Sequence, residues 1–220
     1  MFITLGVLTY CAGLIAMIPA RFVVPDSDQM RVGGTAWNGE AVLGSTMRIA
    51  WHWSPMASLL RLGYTANWQM TGGDTDLSGS ATPKAGRIVL RDIQGQIDGT
   101  LLDAAAPSLP LSCRFLAQVQ IAQATLGGKD QLARGTVRSS PVHCTSRTAV
   151  AGALDLPALR GTLVPAAGMT TGALFTTPSR QHLIEARLTS DGALSMWATP
   201  DLAARTPLLT GARYDTVIAW

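Results

Sequence analysis

The chain has 220 residues, and setting aside roughly twenty-five for an apolar N-terminal stretch leaves about 195, the size of one ordinary domain. Charged residues make up only 14% and hydrophobic ones 47%, where an average soluble domain carries roughly 25% charge. Net charge is +3, from 17 Lys and Arg against 14 Asp and Glu; no basic run accompanies an aromatic platform, which argues against a nucleic-acid partner.

From Phe2 to Ala20 there is no charged residue, and the stretch to Ile18 is almost wholly apolar. As a helix, about twenty such residues span roughly 30 Å, the thickness of a bilayer's hydrocarbon core. Pro19 marks its end, because proline cannot continue the hydrogen-bond ladder. A core helix would not be apolar on every side at a chain terminus. A cleaved signal peptide would carry a positive n-region and a small-residue cleavage site, and Ile18-Pro19-Ala20 makes a poor one. The favoured reading is an uncleaved transmembrane anchor over residues 1–22. A short polar connection over 23–33 follows, then one domain over 34–220.

That domain reads as short strands between Gly, Pro and Asp turns. Strands are expected at Gly34–Leu43 and Met47–Trp53, then at Arg61–Thr71, where Leu62, Tyr64, Ala66, Trp68 and Met70 alternate with polar residues. Pro55–Leu60 reads as a short helix or a loose connection. Further strands are expected at Thr75–Ala81, Arg87–Ile93, Cys113–Ala124, Gly135–Ser139, Ala149–Leu154 and Gly161–Val164. His182–Thr189 and Ala193–Ala198 flank Ser190-Asp191-Gly192 as a hairpin, Asp-Gly being a strong turn pair. Asp201–Leu209 reads as a short helix and Tyr214–Trp220 as a last strand. About ten strands without βαβ alternation predict a mainly β fold: one antiparallel, curved or open sheet with few short helices.

Of the three cysteines, Cys11 lies in the anchor and reads as an apolar filler. Cys113 and Cys144 form an even pair in the domain. In an oxidising compartment they read as a disulfide; the alternatives are two separate buried thiols, or a metal or catalytic role without CxxC spacing to support it.

Chemistry is harder to find. No GxSxG elbow, HExxH or P-loop occurs, and His52, His143 and His182 read as surface or edge residues of strands. Gly72-Gly73-Asp74-Thr75-Asp76 has alternate acids but lacks the glutamate that closes a calcium loop; it reads as a turn with solvated carboxylates. The expectation is a protein with no catalytic residues, no metal and no cofactor. Of the six tryptophans, Trp51, Trp53 and Trp68 most simply fill the sheet's core, with a lipid-facing groove or an interfacial belt as the alternative.

The order of segments carries a resemblance. The anchor ends in Ile18-Pro19-Ala20-Arg21-Phe22-Val23; then come Val32-Gly33-Gly34-Thr35-Ala36-Trp37-Asn38-Gly39 and Ile49-Ala50-Trp51-His52-Trp53-Ser54-Pro55 with Leu59-Leu60. These segments, with the paired cysteines and the late Thr199-Pro200-Asp201 to Leu208-Leu209 stretch, resemble the type II secretion system protein N family, most strongly over residues 14–70. The resemblance implies a single-pass bacterial inner-membrane protein with a periplasmic β domain. It further implies a non-enzymatic accessory of the secretion platform, whose partners are other inner-membrane subunits of that machine. Trp37, Gly39, Trp51, Trp53 and Pro55 match the family's motif and read as structural. The competing expectation is an AsmA-like envelope protein that binds or moves lipid in a β groove.

Overall fold

The computed structural model describes Thr4, Gly6, Tyr10, Gly13, Leu14 and residues 16–22, 30–44, 46–105, 111–128, 131–146, 153–166, 168–190, 193–200 and 213–217. Thr4, Gly6, Tyr10, Gly13, Leu14 and Ala16 are helical, and all six are exposed. Among the described residues no helix is long and apolar enough to cross a membrane, and much of the expected anchor, Cys11 included, lies outside them.

The described chain is a meander of antiparallel strands. In order they are β1 (Met30–Gly34), β2 (Asn38–Leu43), β3 (Met47–Trp53), β4 (Ala66–Gly72), β5 (Thr75–Lys84), β6 (Arg87–Asp98), β7 (Leu111–Arg114) and β8 (Leu116–Leu126). The second half adds β9 (Leu132–Ser139), β10 (Val142–Ser146), β11 (Leu154–Leu156), β12 (Leu159–Ala166), β13 (Met169–Thr176), β14 (His182–Leu188), β15 (Ala193–Ala198) and β16 (Arg213–Val217). Two short helices interrupt them, α1 (Pro55–Leu60) and α2 (Gly99–Ala105). Thirteen strands form one sheet in nearly sequential order, and β11, β10 and β7 form a second sheet of three. The fold is thus mainly β with a large antiparallel sheet, as the strand pattern predicts, although the chain divides between two sheets.

Cross-strand register makes the large sheet two-faced. Partners directly opposite point to the same side, so one row runs from Val32 through Ala41, Ile49, Met70 and Leu77 to Gly95. It continues through Val119, Val137, Gly161, Leu174 and Ile184. Every member is apolar, and every one is buried or half-buried. The neighbouring row, from Glu40 through Ala50, Gln69, Ser78, Gln94 and Gln120 to Thr136 and Thr162, points the other way and is exposed or half-exposed. A strand repeats every two residues, so alternation held in register over many strands gives one dry and one wet face.

The chain's own elements cover parts of the apolar face. At the first end Ala20, in a 3-10 turn over Ala20–Phe22, packs with Ala41, Trp51 and Ala66. In the middle Leu101 of α2 packs on the cluster of Leu77, Ile93, Val119 and Ala124. At the far end the small sheet brings Cys113, Val142, Cys144 and Leu156 onto Leu159 and Leu183, with Leu102 of α2 beside them. Helix α2 therefore touches both of the last two clusters. Cys113 and Cys144 lie directly opposite on β7 and β10 and are joined as a disulfide, with Cα atoms 4.0 Å apart.

Several boundaries differ from the sequence reading. The sheet starts at Met30, inside the expected connection, and Gly34–Leu43 is two strands around a turn closed by Thr35 N–H donating to Asn38 O (2.8 Å). The expected strand at Arg61–Thr71 begins only at Ala66, because the end of α1 consumes the preceding residues. Cys113–Ala124 is likewise two strands, β7 and β8, in different sheets. Strands β10 and β13 and helix α2 were not expected. The 182–198 hairpin forms as expected, while its Asp191-Gly192 turn, residues 149–152, the 201–209 helix and residues 218–220 lie outside the described residues.

Candidate interaction surfaces

The motif residues scattered between Ile18 and Tyr64 come together at the first end of the sheet. Ala36 N–H donates to Ile18 O (2.8 Å), and Pro19 bridges Thr35. The Trp37 ring meets Trp53 edge-on at 5.1 Å and Tyr64 at 5.8 Å. Trp53 N–H donates to Trp37 O (2.6 Å), and the Tyr64 hydroxyl donates to Ala36 O. Burial pushes the Tyr64 phenol above its ordinary pKa. Pro55 opens α1, where its missing N–H costs nothing. Ser58 ties the helix down: its hydroxyl accepts from Trp53 Nε1 (2.9 Å) and from Thr65 N–H (2.9 Å).

Gly39 sits opposite Trp51 in the β2–β3 ladder. A Cβ at Gly39 would fall inside the Trp51 ring, so the glycine is there for close approach. Gly39→Ala must push a buried indole aside, and overpacking of this kind costs about 1–3 kcal/mol. The expected outcome is a lower urea midpoint with an unchanged slope. An unchanged midpoint would show that Trp51 has room to move.

Helix α1 ends in a way that leaves a strained and exposed leucine. Gly63 N–H reaches back to Ser58 O (3.0 Å) and Leu62 N–H to Leu59 O (3.3 Å), the pair of bonds that closes a Schellman turn. The residue between helix and glycine adopts positive φ, here Leu62 at 49°, where glycine is the usual occupant. The left-handed conformation costs a leucine about 1–2 kcal/mol, and glycine's extra freedom in the unfolded chain gives back part of that. Leu62→Gly is therefore expected to raise stability by about 0.5–1 kcal/mol, read as a higher denaturant midpoint; a lower midpoint would mean that the side chain packs in the fold.

Around this end the surface is apolar. Met56, Leu59, Leu60 and Leu62 are 69%, 70%, 81% and 92% exposed, and Met17 and Phe22 exceed three quarters. The spacing 56, 59, 60 puts three of these side chains on one helix face. That face normally packs onto a core, and here no residue of α1 is buried.

A second feature sits where the two sheets meet, an open cleft of about 630 Å³ whose lining includes Asp98, Thr100, Asp103, Ser112, Arg114 and His143. Asp98 ends β6 and caps α2. Its Oδ1 accepts from the Thr75 hydroxyl (2.8 Å) and from Thr100 N–H (3.2 Å) and hydroxyl (2.6 Å), while Oδ2 accepts from Asp74 N–H (3.0 Å). Burial alone pushes its pKa up, but the bonds from Thr100, the Asp74 N–H, Thr75 and the Leu101 N–H outweigh it and hold the carboxyl below its ordinary value. With both oxygens engaged, Asp98 is a structural knot. Sequence reading missed it, although Asp98-Gly99-Thr100 before Leu101-Leu102 is a helix-cap pattern.

The remaining polar candidates stay apart. Asp74 and Asp76 sit in and after the β4–β5 turn, and Asp76 accepts from Gln69 Nε2 (2.9 Å). No group of three metal-ligating side chains occurs among the described residues. His52 contacts Asn38 (2.9 Å) and His143 contacts Asp155 (2.6 Å), both at the surface. His182 is half-buried, stacked on Phe175 at 4.8 Å.

Fold and surfaces together describe a two-faced antiparallel meander with a disulfide-tied satellite sheet. Comparison with protein-family models, with curated proteins and with solved structures finds no match.

Proposed function

We propose that the chain is a non-enzymatic accessory subunit of a type II secretion inner-membrane platform, held by its N-terminal segment and acting through protein contacts of a periplasmic β domain. One observation carries this reading. The separate segments that resemble the protein N family, Ile18-Pro19, Thr35 to Gly39 and Trp51 to Pro55, assemble into a single aromatic and backbone-bonded unit, with Leu59-Leu60 exposed on the helix that follows. Motifs that share one structural task are expected to meet in this way. The disulfide supports placing the domain in an oxidising compartment.

The continuous apolar row favours a second reading, an AsmA-like protein that shields acyl chains along that face. Against it stands the cover supplied by the turn at Ala20, by α2 and by the small sheet, which makes parts of the face an ordinary core.

Photo-crosslinking in cells tests the first reading against the second. A photoreactive residue is placed at exposed Arg48 or Gln69 on the polar face, or at half-buried Met70 on the apolar face. Adducts with inner-membrane secretion subunits from the polar positions support the proposal. Phospholipid adducts at Met70 with no protein adduct anywhere favour lipid handling.

A further inference from the structure

We propose that helix α1 and Leu62 form a second, shallow membrane contact, seated at the headgroup–acyl boundary of the bilayer that holds the N-terminal segment. The inference deepens the anchored reading above and rests on it.

Position is the first argument. Ile18, at the end of the apolar N-terminal segment, is bonded to Ala36; Trp37 beside it is bonded to Trp53; and Ser54, the next residue, precedes Pro55 as the cap of α1. The exposed leucines therefore lie at the same end of the sheet as the point where the segment enters, and Met17 and Phe22, which flank that point in the chain, are exposed too. Any bilayer that takes up the segment lies beside α1.

Composition is the second. Between Glu40 and Asp74 the sequence contains Arg48 and Arg61 and no acidic residue. Arg61 directly follows α1 and Arg21 sits in the entry turn, and both are exposed. Leucine and methionine tips with arginines at their rim match an anionic lipid surface, which attracts each cation as the apolar side chains leave water. Trp37, Trp53 and Tyr64 stand behind them, and rings with one polar edge are the usual occupants of this depth.

Conformation is the third. Leu62 is held at positive φ with 92% of its surface exposed; the Schellman turn needs the left-handed backbone there, but not a leucine, which glycine would replace without strain. Strain kept at an exposed position points to use. A protein partner fits less well: three side chains on a six-residue helix, with Leu62 just beyond it, offer far less than the roughly 800 Å² per partner of a stable interface.

The test uses the full chain in vesicles of phosphatidylethanolamine and phosphatidylglycerol. In a Cys11→Ser background, with Cys113 and Cys144 bonded to each other, one fluorophore is attached through Leu14→Cys, Leu60→Cys or Gln118→Cys. Nitroxides carried shallow or deep on the lipid chains act as quenchers. The expected result is deep quenching at 14, shallow quenching at 60 and none at 118. Adding Met56→Glu and Leu59→Glu is expected to reduce lipid quenching at 60 about tenfold, equivalent to about 1.4 kcal/mol, while quenching at 14 and the folded signal stay unchanged. Deep quenching at 14 with none at 60 overturns the proposal and leaves the anchor standing. Quenching at 60 without 14 keeps the surface contact and removes the anchor. Quenching at neither position overturns both.

Discussion

Asp98→Ala is expected to destabilise the fold by about 4 kcal/mol, because it takes the acceptor from four donors, one buried and three part-buried, at about 1 kcal/mol each. The donors are the Thr75 hydroxyl, the Thr100 N–H and hydroxyl, and the Asp74 N–H. The damage spreads beyond the knot, since the same carboxylate caps α2, whose Leu101 and Leu102 reach two different core clusters. Asp98→Asn is expected to cost about half as much: its oxygen still serves Thr75 and Thr100, while its amide turns a donor toward the Asp74 N–H. Chemical unfolding of the two variants checks the order, and equal losses would mean that charge rather than geometry dominates. The pH dependence has a definite sign. The folded pKa lies below the unfolded one, so the contribution is complete above the unfolded value of about 3.9 and is lost as pH falls through the folded value. Stability of the native chain should drop with acidification below about pH 4, and Asp98→Asn should flatten that drop. An identical acid profile in both proteins would remove Asp98 from the account.

Breaking the disulfide is expected to cost about 3–4 kcal/mol, the chain entropy released when a loop of this length opens. Cys113 and Cys144 stand 31 positions apart on facing strands of the small sheet. That sheet covers Leu159 and Leu183 at the far end of the large one, so Cys113→Ser/Cys144→Ser should loosen this end first. Hydrogen exchange is expected to rise in β7, β10 and β12 before β3 or β4. Uniform acceleration across the chain would instead mark the small sheet as part of a single cooperative unit, and no change in the unfolding midpoint would mean that the bond constrains little. The same pair bears on compartment, because protein made in a reducing compartment should show the weakened behaviour without any mutation.

Much of the fold was legible where alternation and turn chemistry agree. Met47–Trp53 and the 182–198 hairpin have clean period-two patterns and bounded ends, and the structure places strands there. The pattern misled where alternation runs through a break. Leu62 and Tyr64 keep step with Ala66 and Trp68, yet the Schellman turn after α1 takes up Leu62 and Gly63, so β4 starts late. Cys113 and Phe115 keep step with Ala117 and Val119, yet the chain changes sheet at Phe115. Helix α2 was hidden because Gly99 and a seven-residue length give no periodic signal. Trp37, Gly39, Trp51, Trp53 and Pro55 were visible as a motif, but their meeting with Tyr64 and Ile18 depends on pairing between distant segments. The Asp98 cap on α2 has a local pattern, but its bonds to Asp74 and Thr75 depend on the pairing of β5 with β6, which no local pattern displays.

The most direct test of the central claim is gentle solubilisation of membranes, capture of the full chain by a C-terminal tag, and mass spectrometry of both the proteins and the lipids that come with it. The account predicts inner-membrane subunits of a type II secretion machine in fixed proportion and no stoichiometric lipid. Phospholipid in fixed proportion to the chain, without those subunits, would contradict it.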